Sequence, residues 1–111
     1  MKNIYISLPM TGRKEADIEG DIMVAKIYLM KMFPGCRITS PLDIYKASKD
    51  LVDYLPDGIK YAVLMGKDIE HIIGRCDTVY FCVDPATTTS KGVRAEWEVA
   101  KVYNKEIIIV D

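Results

Sequence analysis

The stretch TVYFCV at residues 78–83 decides the fold class of this chain. It is an almost continuous apolar run rather than an alternation of apolar and polar residues, which is typical of a strand buried on both faces. Such strands occur in parallel sheets, where crossover helices cover both faces. We therefore expect helices before and after this strand.

The segments around the strand carry the expected pattern. Residues 59–75 have apolar side chains at helical spacing, and residues 91–104 predict another helix after a polar loop at 84–90. The sequence EIIIV at 106–110 then predicts a last strand.

The N-terminal half predicts two strands and a long helix. Residues 3–8 form a strand, and residues 14–33 form a helix that a Pro-Gly pair stops. Residues 36–40 form a short second strand. Residues 41–57 are mixed in pattern, so no helix or strand is assigned to them.

The helix at 14–33 is apolar over much of its circumference. Its main apolar stripe comprises Ile18, Ile22, Ala25, Leu29 and Met32. Met23, Ile27 and Met30 widen this stripe. A helix with so wide an apolar surface often packs against two neighbours, which we expect to be the sheet and a second subunit.

The resulting order is β-α-β-α-β-α-β over a single domain of residues 1–111. Alternation of this kind implies parallel strands with helices on both faces. We therefore predict a small, doubly wound α/β fold, flavodoxin- or Rossmann-like, with four to five strands.

Composition narrows the range of functions. The 15 basic and 16 acidic residues give a net charge of −1, which argues against binding a nucleic acid polymer. The three cysteines form no CxxC pair and there is one histidine, so we expect no metal site and a reducing compartment. No apolar run is long enough to span a membrane and no signal peptide precedes the first strand, which predicts a soluble, cytoplasmic protein.

Ligands of open parallel sheets bind beyond the carboxyl ends of the strands, near the point where strand order reverses. This rule selects residues 7–12, 39–43, 84–90 and Asp111. Asp77 precedes its strand and lies at the opposite edge, so we interpret it as a structural turn residue.

The loop at 84–90 leads into a helix N-terminus, where free backbone N–H groups and the helix dipole favour an anion. Its threonines and Ser90 add hydroxyl groups. Two interpretations of Ser90 stay open: it contacts a ligand, or it only caps the helix.

The last helix contains an unusual carboxylate. Lys91, Arg94, Glu98, Lys101 and Lys105 share one charged face. We therefore predict that Glu98 is solvated and paired within its helix. Glu96 instead lies on a row with Gly92, Val99, Ala100 and Tyr103. A lone carboxylate among small and apolar residues indicates chemistry, and the alternative is a boundary residue that reaches water.

Asp68 is the second unusual carboxylate, at the edge of the apolar face of the helix at 59–75. Burial there would raise its pKa, as a general acid requires. The alternative is an ordinary flanking residue. His71 lies one turn further on and is interpreted as a surface residue.

Three segments together resemble the nucleoside 2-deoxyribosyltransferase-like superfamily. They are IYISLPMTG at residues 4–12, Asp68-Ile69-Glu70 before the strand, and SKGVRAE at 90–96 followed by Ala100. The last resembles the superfamily pattern S/D-x-G-x-x-x-E-x-x-x-A. The chain is most similar to small, uncharacterised bacterial and phage members and to 2′-deoxynucleoside 5′-phosphate N-hydrolases.

The resemblance implies a role for each matching residue. Glu96 would be the nucleophile that attacks C1′, Asp68 would help to protonate the departing base, and Tyr5 would orient Glu96. Ser90 stands where the hydrolases carry a serine that contacts the 5′-phosphate. The substrate-binding residues implied are Ser7, Pro9, Met10, Gly12, Ser90 and Gly92. A nearby helix N-terminus is expected to keep Glu96 ionised.

These roles imply hydrolysis of the N-glycosidic bond of a 2′-deoxyribonucleoside 5′-monophosphate, without a metal or other cofactor. Transfer between free nucleosides and non-catalytic nucleotide binding remain alternatives, and a small partner-binding scaffold is a third. The expected partners are a deoxynucleoside or deoxynucleotide and further copies of the chain, as a homodimer or higher homo-oligomer.

Overall fold

Strand β3 (Thr78–Phe81) is buried along its whole length, as its unbroken apolar sequence predicts. In the computed structural model, which describes residues 1–110, β3 pairs with β1 (Asn3–Ser7) and with β4 (Glu106–Ile109). The far side of β1 pairs with β2 (Arg37–Thr39). The order is β2-β1-β3-β4 and every pair is parallel, which confirms the predicted doubly wound sheet.

Four helices connect the strands. They are α1 (Glu15–Met32), α2 (Pro41–Val52), α3 (Asp57–Arg75) and α4 (Lys91–Val102). Helices α1, α3 and α4 were predicted to within two residues at each end. Within residues 1–110, no helix has the length and apolar character needed to cross a membrane. The expectation placed on Asp111 lies outside the described residues.

Helix α2 corrects the interpretation of residues 41–57 as a segment without an element. The Ser40 hydroxyl accepts a hydrogen bond from the Asp43 N–H at 3.2 Å, and Asp43 Oδ2 accepts one from the Ser40 N–H at 2.9 Å. This capping box, with Pro41 as the first helical residue, satisfies backbone donors that would otherwise be unpaired. The start signal was therefore in the sequence, although the apolar pattern after it is weak.

Alternation along β1 divides the core into two clusters. Ile4 and Ile6 point to the cluster beneath α1, whereas Tyr5 belongs to the cluster beneath α3 and α4. Tyr5 and Ser7 are two residues apart and therefore project from the same face of the sheet. This face is the one that α4 covers.

Helix α1 is buried on one side only. Its inner residues Ile18, Ile22, Ala25 and Leu29 are buried as predicted. Met32, predicted to continue that stripe, is 45% exposed, because it lies in the last turn. Met23, Ile27 and Met30 are also exposed. Within the described chain, α1 therefore packs its inner stripe against the sheet, and these three side chains remain at the surface.

The topology fixes where a ligand site should lie. Strand β2 lies on one side of β1, and β3 and then β4 lie on the other side. The strand order therefore reverses between β1 and β3. Their carboxyl ends diverge there into the loops that follow Ser7 and Phe81. The crevice at such a switch point is the preferred ligand position of this architecture.

Removal of the α2 capping box should weaken the fold. Ser40→Ala leaves the Asp43 N–H without its side-chain acceptor, which is expected to lower the free energy of unfolding by about 1 kcal/mol. Urea denaturation measures this change. Asp50→Ala, at an exposed position of the same helix, serves as control and should stay within about 0.5 kcal/mol. An equal loss in both variants would contradict the capping role.

Candidate active site

Glu96 is buried at the inner face of α4. Ser90 caps this helix, and the buried residues that follow are Val93, Glu96 and Ala100. Their spacing of three and four residues places them on one face, towards the sheet. Glu96 is only 3% exposed, so the alternative that it is a boundary residue reaching water is wrong.

Two hydroxyl groups of β1 hold the Glu96 carboxylate. The Tyr5 hydroxyl donates to Oε2 at 2.7 Å, and the Ser7 hydroxyl donates to Oε1 at 2.7 Å. Both donors are fully buried, and each carboxylate oxygen keeps a further lone pair. The carboxylate is thus oriented at both oxygens without being saturated.

Burial raises the pKa of Glu96 to about 7, and the hydrogen bonds from Ser7 and Tyr5 act in the opposite direction. The expectation that the helix N-terminus keeps Glu96 ionised is therefore not met. Glu96 lies in the second turn of α4, where the influence of the helix dipole has declined. Near neutral pH the group is poised between its two protonation states.

Asp68 is a second buried carboxylate, on α3. It is 9% exposed, and its Oδ1 has no hydrogen-bond partner among the described residues. Burial raises the pKa of Asp68 to about 8, the negative charge of Glu96 adds to the rise, and the Tyr5 hydroxyl opposes it. The prediction that burial raises the pKa of Asp68 is confirmed, and its interpretation as an ordinary flanking residue is wrong.

Both carboxylates line one cavity of about 1000 Å³. Its walls come from the loop after β1, the start of α2, one face of α3 and the N-terminus of α4. Apolar wall residues include Leu42, Tyr45 and Met65. A largely apolar cavity of this size with a few converging polar groups suits a small organic ligand.

A model of the family "Domain of unknown function (DUF4406)" matches residues 2–109. The chain belongs to this family. No curated protein and no solved structure matches the chain significantly.

In this DUF4406 chain, most residues predicted to bind substrate do line the cavity. They are Pro9, Met10, Ser90 and Gly92. Ser7 does not line it, because it is fully buried and donates to Glu96. Gly12 does not line it either. Gly12 adopts a φ of +76° in the turn after β1. Its neighbours Thr11 and Arg13 line the cavity.

Ser90 and Gly92 shape the entrance from α4. The Ser90 hydroxyl accepts a hydrogen bond from the Val93 N–H at 3.3 Å, so Ser90 caps α4. Its hydroxyl proton remains free to be donated, so a contact with a ligand stays open. A Cβ at Gly92 would lie 3.7 Å from the Tyr61 hydroxyl and 3.8 Å from the Met65 sulfur. A side chain longer than alanine would therefore enter the space between α3 and α4.

Three cations on the cavity wall were not predicted: Arg13, Lys60 and Lys91. Arg13 pairs with Asp21 at 2.6 Å, and Lys60 pairs with Asp53 at 2.9 Å. Lys91 directly follows Ser90, which was predicted to bind substrate, so its place on the cavity wall could have been predicted from the sequence. The position of Lys60 depends on how α3 packs against α2, which was not assigned.

Three further residues were assigned structural or surface positions from the sequence. Asp77 Oδ2 accepts from the Asn3 N–H at 2.9 Å, and Glu98 pairs with Lys101 at 2.9 Å, which confirms both predictions. His71 is half-buried rather than at the surface. Its ring centroid lies 5.9 Å from that of Tyr5, and burial, then the charge of Arg75, lowers its pKa.

Asp68→Asn should stabilise the fold at alkaline pH. The raised pKa means that the folded chain holds this proton more tightly than the unfolded chain, so stability falls as pH rises from the ordinary pKa of 3.8 to about 8. Asparagine carries no charge and avoids this loss. We expect a gain of roughly 1–3 kcal/mol in the free energy of unfolding at pH 9, and a smaller gain at pH 5.

Urea denaturation of both proteins at the two pH values checks this prediction. Glu70→Gln, at an exposed position of the same helix, is the matched control and should change little at either pH. A gain from Asp68→Asn that is equal at pH 5 and pH 9 would contradict the assignment of the shift to Asp68.

Proposed function

We propose that the chain hydrolyses the N-glycosidic bond of a 2′-deoxyribonucleoside 5′-monophosphate, with Glu96 as nucleophile. The observation that carries the proposal is the buried Glu96 carboxylate, held at both oxygens by Tyr5 and Ser7 on the wall of a cavity. The resemblance to the nucleoside 2-deoxyribosyltransferase-like superfamily supports it, since the matching motifs contain Glu96, Asp68 and Tyr5.

The first step forms an ester between the enzyme and the sugar. A Glu96 oxygen attacks C1′ while the bond from C1′ to the base nitrogen breaks, and the bonding electrons leave with the base. Asp68 donates its proton to the base. The raised pKa of Asp68, about 8, keeps this carboxyl protonated at neutral pH, as a general acid requires. The transition state resembles an oxocarbenium ion, which the nearby Glu96 carboxylate stabilises.

The second step releases the sugar. Asp68, now ionised, accepts a proton from water while the water oxygen attacks C1′ and the ester bond to Glu96 breaks. The products are the free base and 2-deoxyribose 5-phosphate, and both carboxyl groups return to their starting protonation states. No cofactor is needed for either step.

The phosphate preference rests on the N-terminus of α4. Thr88, Thr89, Ser90 and Lys91 line the cavity there. Backbone N–H groups, hydroxyl groups and one ammonium group together suit a dianionic phosphate. The apolar wall around Tyr45 and Met65 would then accommodate the base.

Two alternatives make different predictions. A deoxyribosyltransferase would use a second base instead of water in the second step, and it would accept nucleosides without a 5′-phosphate. A nucleotide-binding module would bind at the same cavity without turnover. Ser90, with Lys91 beside it on the cavity wall, favours the phosphorylated substrate over the free nucleoside.

Base release from each 2′-deoxynucleoside 5′-monophosphate, followed by chromatography, tests the proposal. Glu96→Gln should lower the rate by at least about 1000-fold, since loss of a nucleophile removes the covalent route. Glu98→Gln is the matched control, because Glu98 lies on the exposed face of the same helix and should retain the wild-type rate.

Each result of this experiment has a distinct meaning. No release by the folded wild-type protein would overturn the proposed hydrolysis. Base exchange with a free acceptor base, without need for a 5′-phosphate, would favour the transferase. A rise in melting temperature with nucleotide but no turnover would favour the binding module.

The pH dependence of kcat/KM should be bell-shaped. Activity requires Glu96 ionised and Asp68 protonated, so it should rise with a pKa of about 7 and fall with a pKa of about 8. With a nucleoside monophosphate whose base leaves without being protonated, kcat/KM should not fall at alkaline pH. A profile that is flat between pH 6 and 9 would contradict the assigned roles.

A further inference from the structure

Helix α1 carries apolar side chains on two opposite faces. Its inner face is buried against the sheet. On the outer face, Met23, Val24, Ile27 and Met30 are each more than half exposed. We refer to these four residues as the outer apolar face. So large an apolar surface on one helix indicates a contact with another protein.

The two core clusters take their helical side chains from different helices. Among residues 1–110, the core cluster beneath α1 takes its helical side chains from α1 and α2 only. Helices α3 and α4 both pack on the opposite face. Within the described chain, the outer apolar face of α1 lies away from both clusters and is left exposed.

Gly20 also points to a close neighbour outside the chain. It lies within α1, where glycine is less favourable than alanine. A Cβ at this position would meet nothing within 4 Å, so no contact within the described chain requires a glycine. It precedes Met23 and Val24 by one helical turn and extends the outer apolar face with a small residue, which permits close approach of a second helix.

The charges of α1 are polarised along its length. All of its acidic residues lie in the first half: Glu15, Asp17, Glu19 and Asp21. Its basic residues, Lys26 and Lys31, lie in the second half. Among the described residues, neither Asp17 nor Lys31 forms an ion pair. A surface of this kind is complementary to a reversed copy of itself.

We propose that two copies of this chain pair through their outer apolar faces, with the α1 helices antiparallel across a two-fold axis. Asp17, Val24 and Lys31 are spaced seven residues apart, so they lie on one side of the helix. With the axis beside Val24, Asp17 of each copy lies opposite Lys31 of the other. The pairing closes on itself as a dimer.

A parallel arrangement of the same helices is less favourable. It would place Asp17 beside Asp17 and Lys31 beside Lys31, and like charges repel. It would also align the two helix dipoles in the same direction. Charge therefore selects the antiparallel pair from the two arrangements that bury the same apolar side chains.

Analytical ultracentrifugation of the full chain, without nucleotide, tests the pairing. The wild-type protein should be a dimer at micromolar concentration. Asp17→Lys and Lys31→Asp should each raise the dimer dissociation constant by about tenfold, because two ion pairs become two repulsions. The double variant with both substitutions restores opposite charges and should dimerise about as well as wild type.

A second pair of variants tests the apolar contact. Ile27→Glu should be monomeric, because it places a charge in the outer apolar face of both copies. Leu51→Glu is the control, since Leu51 is equally an exposed apolar residue, on α2, and this variant should remain dimeric. Circular dichroism checks that every variant is folded.

The proposal is overturned if the wild-type protein is monomeric at micromolar concentration, if Ile27→Glu remains dimeric, or if the two charge reversals fail to compensate each other. None of these measurements involves the cavity or base release. Failure of the pairing therefore leaves the proposed hydrolysis intact, and failure of hydrolysis leaves the pairing intact.

Discussion

The cost of burying the Glu96 carboxylate constrains the rest of the structure. A carboxyl group removed from water must have hydrogen-bond partners or remain protonated, and here β1 supplies two hydroxyl donors at 2.7 Å. Those donors can reach Glu96 only because strand alternation turns Tyr5 and Ser7 towards α4. The order of β1 and β3 in turn places this pair beside the switch point, where the loops after both strands diverge into a cavity.

The buried carboxylate of Asp68 adds to the cost in folding stability that the site imposes. Asp68 is buried near Glu96, and each burial disfavours the charged form, so both pKa values rise. Asp68 Oδ1 has no hydrogen-bond partner among residues 1–110. Stability alone would favour neutral side chains at these two positions. Active sites commonly keep such groups at the expense of stability. In the proposed mechanism the raised pKa of Asp68 suits a general acid, whereas Glu96 must be ionised to act as the nucleophile.

The parts of this account that were predicted from the sequence are those set by local pattern. The unbroken run in β3 and the lone carboxylate of Glu96 were visible without the fold. The contact between Ser7 and Glu96 was not, because it depends on how α4 crosses the sheet. Helix α2 was missed because its capping signal precedes a weak apolar pattern. Because α2 was not assigned, the places of Tyr45 and Lys60 on the cavity wall could not be predicted, although residues 39–43 and Asp68 were.

The most direct test of Glu96 as nucleophile is mass spectrometry of protein that is quenched during turnover of a 2′-deoxyribonucleoside 5′-monophosphate. Peptide mapping then locates any covalent sugar. We predict a deoxyribosyl phosphate ester on the peptide that contains Glu96. Turnover with the ester on another residue, or with no ester at any quenching time, would contradict this account.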